Sequence, residues 1–105
     1  VLDQTFSQQL RDQLNDPEVT APTKLTILAV AGKRRDAKLL PLLREFAAQD
    51  ENASLKRTAI ASLGQFETLN REDLTLIQNS ASHSNGAVRL AANAVMKRIG
   101  ERHFE

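Results

Sequence analysis

Three nine-residue stretches of this chain share one pattern, running from Lys24 to Gly32, from Lys56 to Gly64 and from Arg89 to Lys97. Each opens on a basic residue. Ala29, Ala61 and Ala94 hold the same place in the three copies. Gly32 and Gly64 close the first two, and Lys97 replaces the glycine in the third. The offsets are 32 and 33 residues. Within each stretch apolar residues recur at helical spacing, and another amphipathic stretch precedes each one. A two-helix hairpin cannot bury its apolar face alone. Repeated hairpins therefore stack and share one core, and about three of them make a minimal stable stack.

The periodicity predicts six helices in three pairs. The first spans about Gln4 to Leu14, with Phe6, Leu10 and Leu14 on one face. The second begins at Pro22, whose missing N–H costs nothing in a first turn, and runs toward Gly32 near its end. Asp36 caps a third from Ala37 to Gln49, in which Pro41 kinks or delays the start. Asn52 caps the fourth, Ala53 to Phe66. Asn70 with Asp73 forms a capping-box pattern for the fifth. The sixth spans Ala87 to Arg98 and stops at Gly100. Ala29, Ala59, Ala61, Ala92 and Ala94 are expected to let helices approach closely. The expectation is an all-α fold, a short α-α superhelix (α-solenoid) of three helical hairpins. It forms one repeat domain over residues 1–105, with repeats at about 3–33, 36–67 and 70–100.

Leu, Ala, Ile and Val must supply the core, because the 105 residues include no Trp, no Tyr and four Phe. With no Cys there is no disulfide framework and no thiolate nucleophile or ligand. Fourteen Lys/Arg balance thirteen Asp/Glu, so the total charge of +1 sets up no global field toward nucleic acid or membrane. No apolar run approaches the roughly 20 residues that span a bilayer. The chain begins at Val1, and a removed leader or a longer parent repeat protein would leave no trace; a cytoplasmic and an exported location both fit.

Leu39-Leu40-Pro41-Leu42-Leu43-Arg44-Glu45-Phe46, then Asp50, Leu55-Lys56 and Ala59 to Gly64, resemble HEAT repeats, in particular the short bacterial kind similar to phycocyanobilin lyase HEAT-like repeats. That pattern has a proline in the first helix, an Asp in the turn, and Val-Arg followed by Ala-x-x-Ala-Leu-Gly in the second helix. Val88-Arg89 and Ala91 to Val95 match it in the third repeat, where Ser84 stands in the place of the Asp. Thr23-Lys24 replaces Val-Arg in the first. The resemblance implies that the second helices line a concave surface. It also implies that the basic residue opening each one ties to a turn Asp. Lys24, Lys56 and Arg89 then form a structural basic ladder, with Lys56 near Asp16 or Asp50 and Arg89 near Asp50. Arg57, Gln65, Asn93 and Lys97 are left as the candidates for outward partner contacts.

No residue set reads as catalytic. His83 lies among Ser80, Ser82 and Ser84 in a turn, and His103 lies near the C-terminal end, too far apart in sequence to suggest a metal pair. Glu72 and Asp73 suit a helix N-terminus without any acid–base role. No cofactor or metal is implied. Lys33-Arg34-Arg35 with Lys38 is the densest basic run; a phosphate patch and a solvated loop both fit it, and no aromatic interleaves for base stacking. The expected function is a non-catalytic protein–protein interaction or scaffold module with a protein partner. The alternatives are a component of a bilin lyase-type enzyme, implied by the resemblance, and a nucleic-acid-binding helical repeat.

Overall fold

Asparagine side chains cap three of the helix starts, and the computed structural model describes residues 2–49, 51–66 and 69–103, with side chains described between residues 8 and 100 of those ranges. The helices are α1 (Leu2–Asn15), α2 (Ala21–Arg34), α3 (Leu40–Ala48), α4 (Ala53–Leu63), α5 (Arg71–Ser80) and α6 (Gly86–His103). The second helices start alike. Lys24 N–H donates to the Thr20 carbonyl at 3.1 Å, Lys56 N–H to Asn52 at 3.0 Å and Arg89 N–H to Asn85 at 3.1 Å. The 32- and 33-residue offsets of the sequence are thus kept in the backbone hydrogen bonds. Asn52 Oδ1 accepts from the Ser54 and Leu55 amides. Asn85 Oδ1 does the same for Ala87 and Val88. Thr20 makes no side-chain cap, and Pro22 in the first turn of α2 has no N–H to satisfy.

The first helices show more local variation. Asp36 accepts from the Lys38 amide and caps a short 3-10 turn, Ala37–Leu39, and only then does α3 begin, with Pro41 in its first turn. The single helix expected from Ala37 is therefore split, because proline fits the first turn of an α-helix and not its second. Asn70 and Asp73 close a full capping box on α5.

Packing follows the order of the chain. α2 lies against α4, and α4 against α6; α3 packs on α4 and α5, and α5 on α6. α1 packs on α2 and on the 3-10 turn. The result is a layer of first helices over a layer of second helices. Its extents of 37 × 31 × 19 Å leave room across the short dimension for two helix layers about 10 Å apart, and no third. Leu14, Leu28, Leu39, Leu43, Ile60, Leu63, Ile77 and Val88 are fully buried between the layers. Each such side chain contributes about 1.5–3 kcal/mol by leaving water. Leu10 joins this core, whereas the Phe6 side chain lies outside the described residues.

Two expectations about small residues are corrected. Ala59 and Ala92, with Ile27 at the equivalent place in α2, are buried; Ala29, Ala61 and Ala94 are all exposed. The shared alanine marks an outward position, not a helix contact. Gly32 and Gly64 also serve for close approach, Gly64 while capping the end of α4. A Cβ on Gly32 would stand 2.8 Å from the Cα of Ser62, and one on Gly64 would stand 2.6 Å from a methyl of Val95. Ser62 and Val95 are themselves 33 residues apart, so one contact is repeated along the stack. The left-handed cap of α2 falls to Arg35, at φ 52°. Gly100 does not stop α6, which continues to His103.

Candidate functional site

α4 is flanked by α2 and α6 and rests on α3, so its exposed side chains have one direction left. Ser54, Arg57 and Ala61 are exposed at helical spacing, and Gln65, partly exposed, follows in the turn, because α4 ends at Leu63 and not at Phe66 as expected. The repeat register extends this stripe to both neighbours. Leu25, Arg57 and Leu90 form one row across the three helices. Ala29, Ala61 and Ala94 form the next, and Lys33, Gln65 and Arg98 a third. Leu90 is 73% exposed, the large apolar side chain most open to solvent among the described residues. Of the residues expected to face a partner, Arg57 and Gln65 lie on this face. Asn93 and Lys97 are exposed too, but on a different side. They replace Ile60 and Gly64, which are buried where α6 covers α4. They mark the uncovered flank of α6, beside a small apolar groove between Leu74, Ile77, Met96 and Ile99.

The basic ladder divides by partner. Lys56 is buried, and its ammonium donates to the Ala47 carbonyl in the last turn of α3 at 2.6 Å. There it satisfies a carbonyl that has no partner within its own helix. Arg89 donates to the His83 and Ser84 carbonyls of its own turn, at 2.8 and 2.9 Å. Its expected pairing with Asp50 falls on a residue outside those described; the turn of the third repeat, with Ser84 in place of an acid, offers carbonyls instead. The pairing of Lys56 with Asp50 falls on a residue outside those described. Asp16 accepts from the Glu18 amide in its own turn. Lys24 is half-buried at the edge of the stack.

One ion pair joins successive hairpins. Arg44 on α3 reaches Asp73 on α5 through two parallel bonds, Nε to Oδ1 at 2.5 Å and a terminal nitrogen to Oδ2 at 3.0 Å. Asp73 is almost wholly buried and also accepts from the Asn70 amide. The hydrogen bond to Asp73 holds the Arg44 guanidinium above the ordinary arginine value, against a smaller opposing effect of burial. The sequence showed Asp73 as a cap only; Arg44 carried no signal, because the pair spans 29 residues.

Ser80 and His83 take part in local hydrogen bonds. Ser80 Oγ donates to the Leu76 carbonyl at 2.8 Å, and His83 Nδ1 accepts from the Asn85 amide at 3.0 Å, closing the turn. An open groove of about 770 Å³ on the first-helix side is lined by Lys56, Arg71, Glu72, Asn79, Ser80 and His83. No group of His, Cys, Asp or Glu among the described residues is placed to hold a metal ion. No described helix is long and apolar enough to cross a membrane.

The balanced total charge conceals a segregation that composition does not show. α2, α4 and α6 hold nine of the fourteen Lys/Arg and one of the thirteen Asp/Glu, a net +8. The rest of the chain holds five and twelve, a net −7.

Stacked, register-keeping hairpins with a continuous face of second helices define a helical-repeat protein of the α-solenoid class. A family model of HEAT repeats matches residues 7–97. The chain belongs to the HEAT-repeat family, whose members commonly serve as protein-interaction scaffolds. No curated protein and no solved structure matches it.

Proposed function

We propose that this chain is a non-catalytic protein-interaction module, and that its partner docks on the outward face of α2, α4 and α6. The observation that carries this reading is the row of exposed Ala29, Ala61 and Ala94 crossing three helices in register, flanked by exposed Arg57 and Leu90. A large apolar side chain next to an arginine on a rigid surface has the composition of an interface anchor, since arginine is enriched at binding hot spots. The stack supplies the rigidity: the face is built on helices and not on loops, so little order has to be gained on binding.

The test is site-specific photo-crosslinking in the source cell. A photoreactive residue at position 57 or 90 is expected to capture one defined protein. The same residue at Glu45 or Thr75, exposed on the first helices, is expected to capture none. Equal capture from both layers, or turnover by the purified chain, would contradict the reading.

A further inference from the structure

The face of the second helices is not only open; it is cationic, with nine Lys/Arg against one acid in its own layer. α2 and α4 contain no acidic residue, and α6 contains only Glu101. A solvated helix surface ordinarily mixes signs, because acid–base pairs four residues apart stabilise a helix and like charges oppose it. Here the acids lie in the other layer and the loops.

The cations of this layer differ in their engagement. Lys56, Arg89 and, at 3.4 Å, Arg98 donate to backbone carbonyls. Lys33 and Arg57 are exposed and make no hydrogen bond or ion pair with any described residue. Resting on the docking face proposed above, we infer that this surface takes an acidic, extended segment of a partner protein. The segment would lie across the helices, along the row of Ala29, Ala61 and Ala94.

The shape supports that occupant. The alanine row is low, with Leu25, Arg57 and Leu90 along one side of it and Lys33, Gln65 and Arg98 along the other. Three helices at about 8–10 Å spacing set a path of roughly 20 Å, which some six residues of extended chain cover. Carboxylates of the segment meet Arg57 on one side and Lys33 on the other, and an apolar residue between them meets Leu90. A nucleic acid fits less well. No aromatic residue lies on α2, α4 or α6 to stack on bases, and Leu90 offers nothing to a phosphate.

Fluorescence anisotropy on the purified chain tests this with three probes. One is a labelled peptide of about twelve residues alternating Glu and Leu, long enough to cross the molecule. The second has Gln for every Glu, and the third is an oligothymidylate of matched charge. The Glu peptide is expected to bind about tenfold or more tightly than the Gln peptide, and to lose that advantage near 1 M salt, where screening acts within about 3 Å. Lys33→Glu with Arg57→Glu is expected to remove about tenfold or more of the Glu-peptide affinity, with an unchanged helical circular dichroism spectrum. Glu45→Lys, in the other layer, is expected to leave it unchanged. Equal binding of the Glu and Gln peptides, unaltered affinity in the double variant, or tighter binding of the oligothymidylate would overturn the inference. If crosslinking at position 57 captures a protein while the Glu peptide does not bind, the docking face stands and its acidic occupant falls.

Discussion

Replacing Gly32 by alanine sets helix propensity against stacking, and the sign of the result decides between them. In an isolated helix the change stabilises by about 1 kcal/mol, because glycine has the greater backbone freedom to lose. In the stack, the new Cβ stands 2.8 Å from the Cα, Cβ and Oγ of Ser62. One of those atoms is backbone, so no rotamer change relieves the contact. Overpacking of this kind costs about 1–3 kcal/mol. Moving α4 away also strains the bond from Ser62 Oγ to the Leu28 carbonyl, 2.7 Å long and worth about 1 kcal/mol. The propensity gain offsets roughly that last contribution, so Gly32→Ala is expected to destabilise by about 1–3 kcal/mol. For a chain of this size that lowers Tm by about 5–20 °C in a thermal melt. Gly100→Ala is the control. Its Cβ meets nothing within 4 Å, so it is expected to raise Tm by a few degrees, reflecting up to about 1 kcal/mol. If Gly32→Ala stabilises as Gly100→Ala does, α2 does not lie against α4 and the stacking argument fails.

Other substitutions test the remaining contacts. Asp73→Ala removes a cap and strands Arg44; because Arg44 is about a third exposed the ion-pair share is discounted, and the total loss is expected near 2–3 kcal/mol by urea unfolding, with a coupling of about 1 kcal/mol to Arg44→Ala. Because the folded-state value of Arg44 is raised, its contribution is fully present below the ordinary arginine value and is lost only as pH rises through the raised one; a melting profile through the neutral range should therefore show no step from Arg44. Lys56→Met keeps the stem but leaves the buried Ala47 carbonyl without this donor, and should cost about 1–3 kcal/mol in the same assay. Leu90→Asp should change stability by less than about 0.5 kcal/mol while weakening partner capture at position 57; a loss of several kcal/mol would place Leu90 in the core.

Much of the fold was legible in the sequence because the repeat is written in local signals. Asn52, Asn70 with Asp73, and Pro22 each mark a helix start by chemistry that acts within a few residues, and the structure keeps them. The delayed start of the third helix was legible in Pro41, but the 3-10 turn before it was not, because Leu39 continues the apolar pattern through it. The periodicity registers which residues are apolar, not whether their backbone is α. Gly64 ends α4 as a local rule for glycine expects, but Gly32 and Gly64 share their register for a contact about 30 residues away, in the helix that packs on them, which no local rule reports. Ala29, Ala61 and Ala94 were equally in register, but alanine suits both a tight contact and an open surface, and only their depth in the stack distinguishes the two. The candidate site was legible in part. Arg57 and Gln65 follow from the repeat, whereas Leu90 and the separation of charge between layers depend on which helices share a face.

The chain has no cysteine, so a single introduced thiol reports on one position. The most direct test of the stacked-hairpin account is the rate of modification of Ala29→Cys, Ala61→Cys and Ala94→Cys by a water-soluble thiol reagent, compared with Ala59→Cys and Ala92→Cys. The account predicts that the first three react at similar rates, close to that of an unfolded control, and that the last two are strongly protected until the chain unfolds. Protection at any of positions 29, 61 or 94, or rapid reaction at 59 or 92, would mean that the three second helices do not share one outward face.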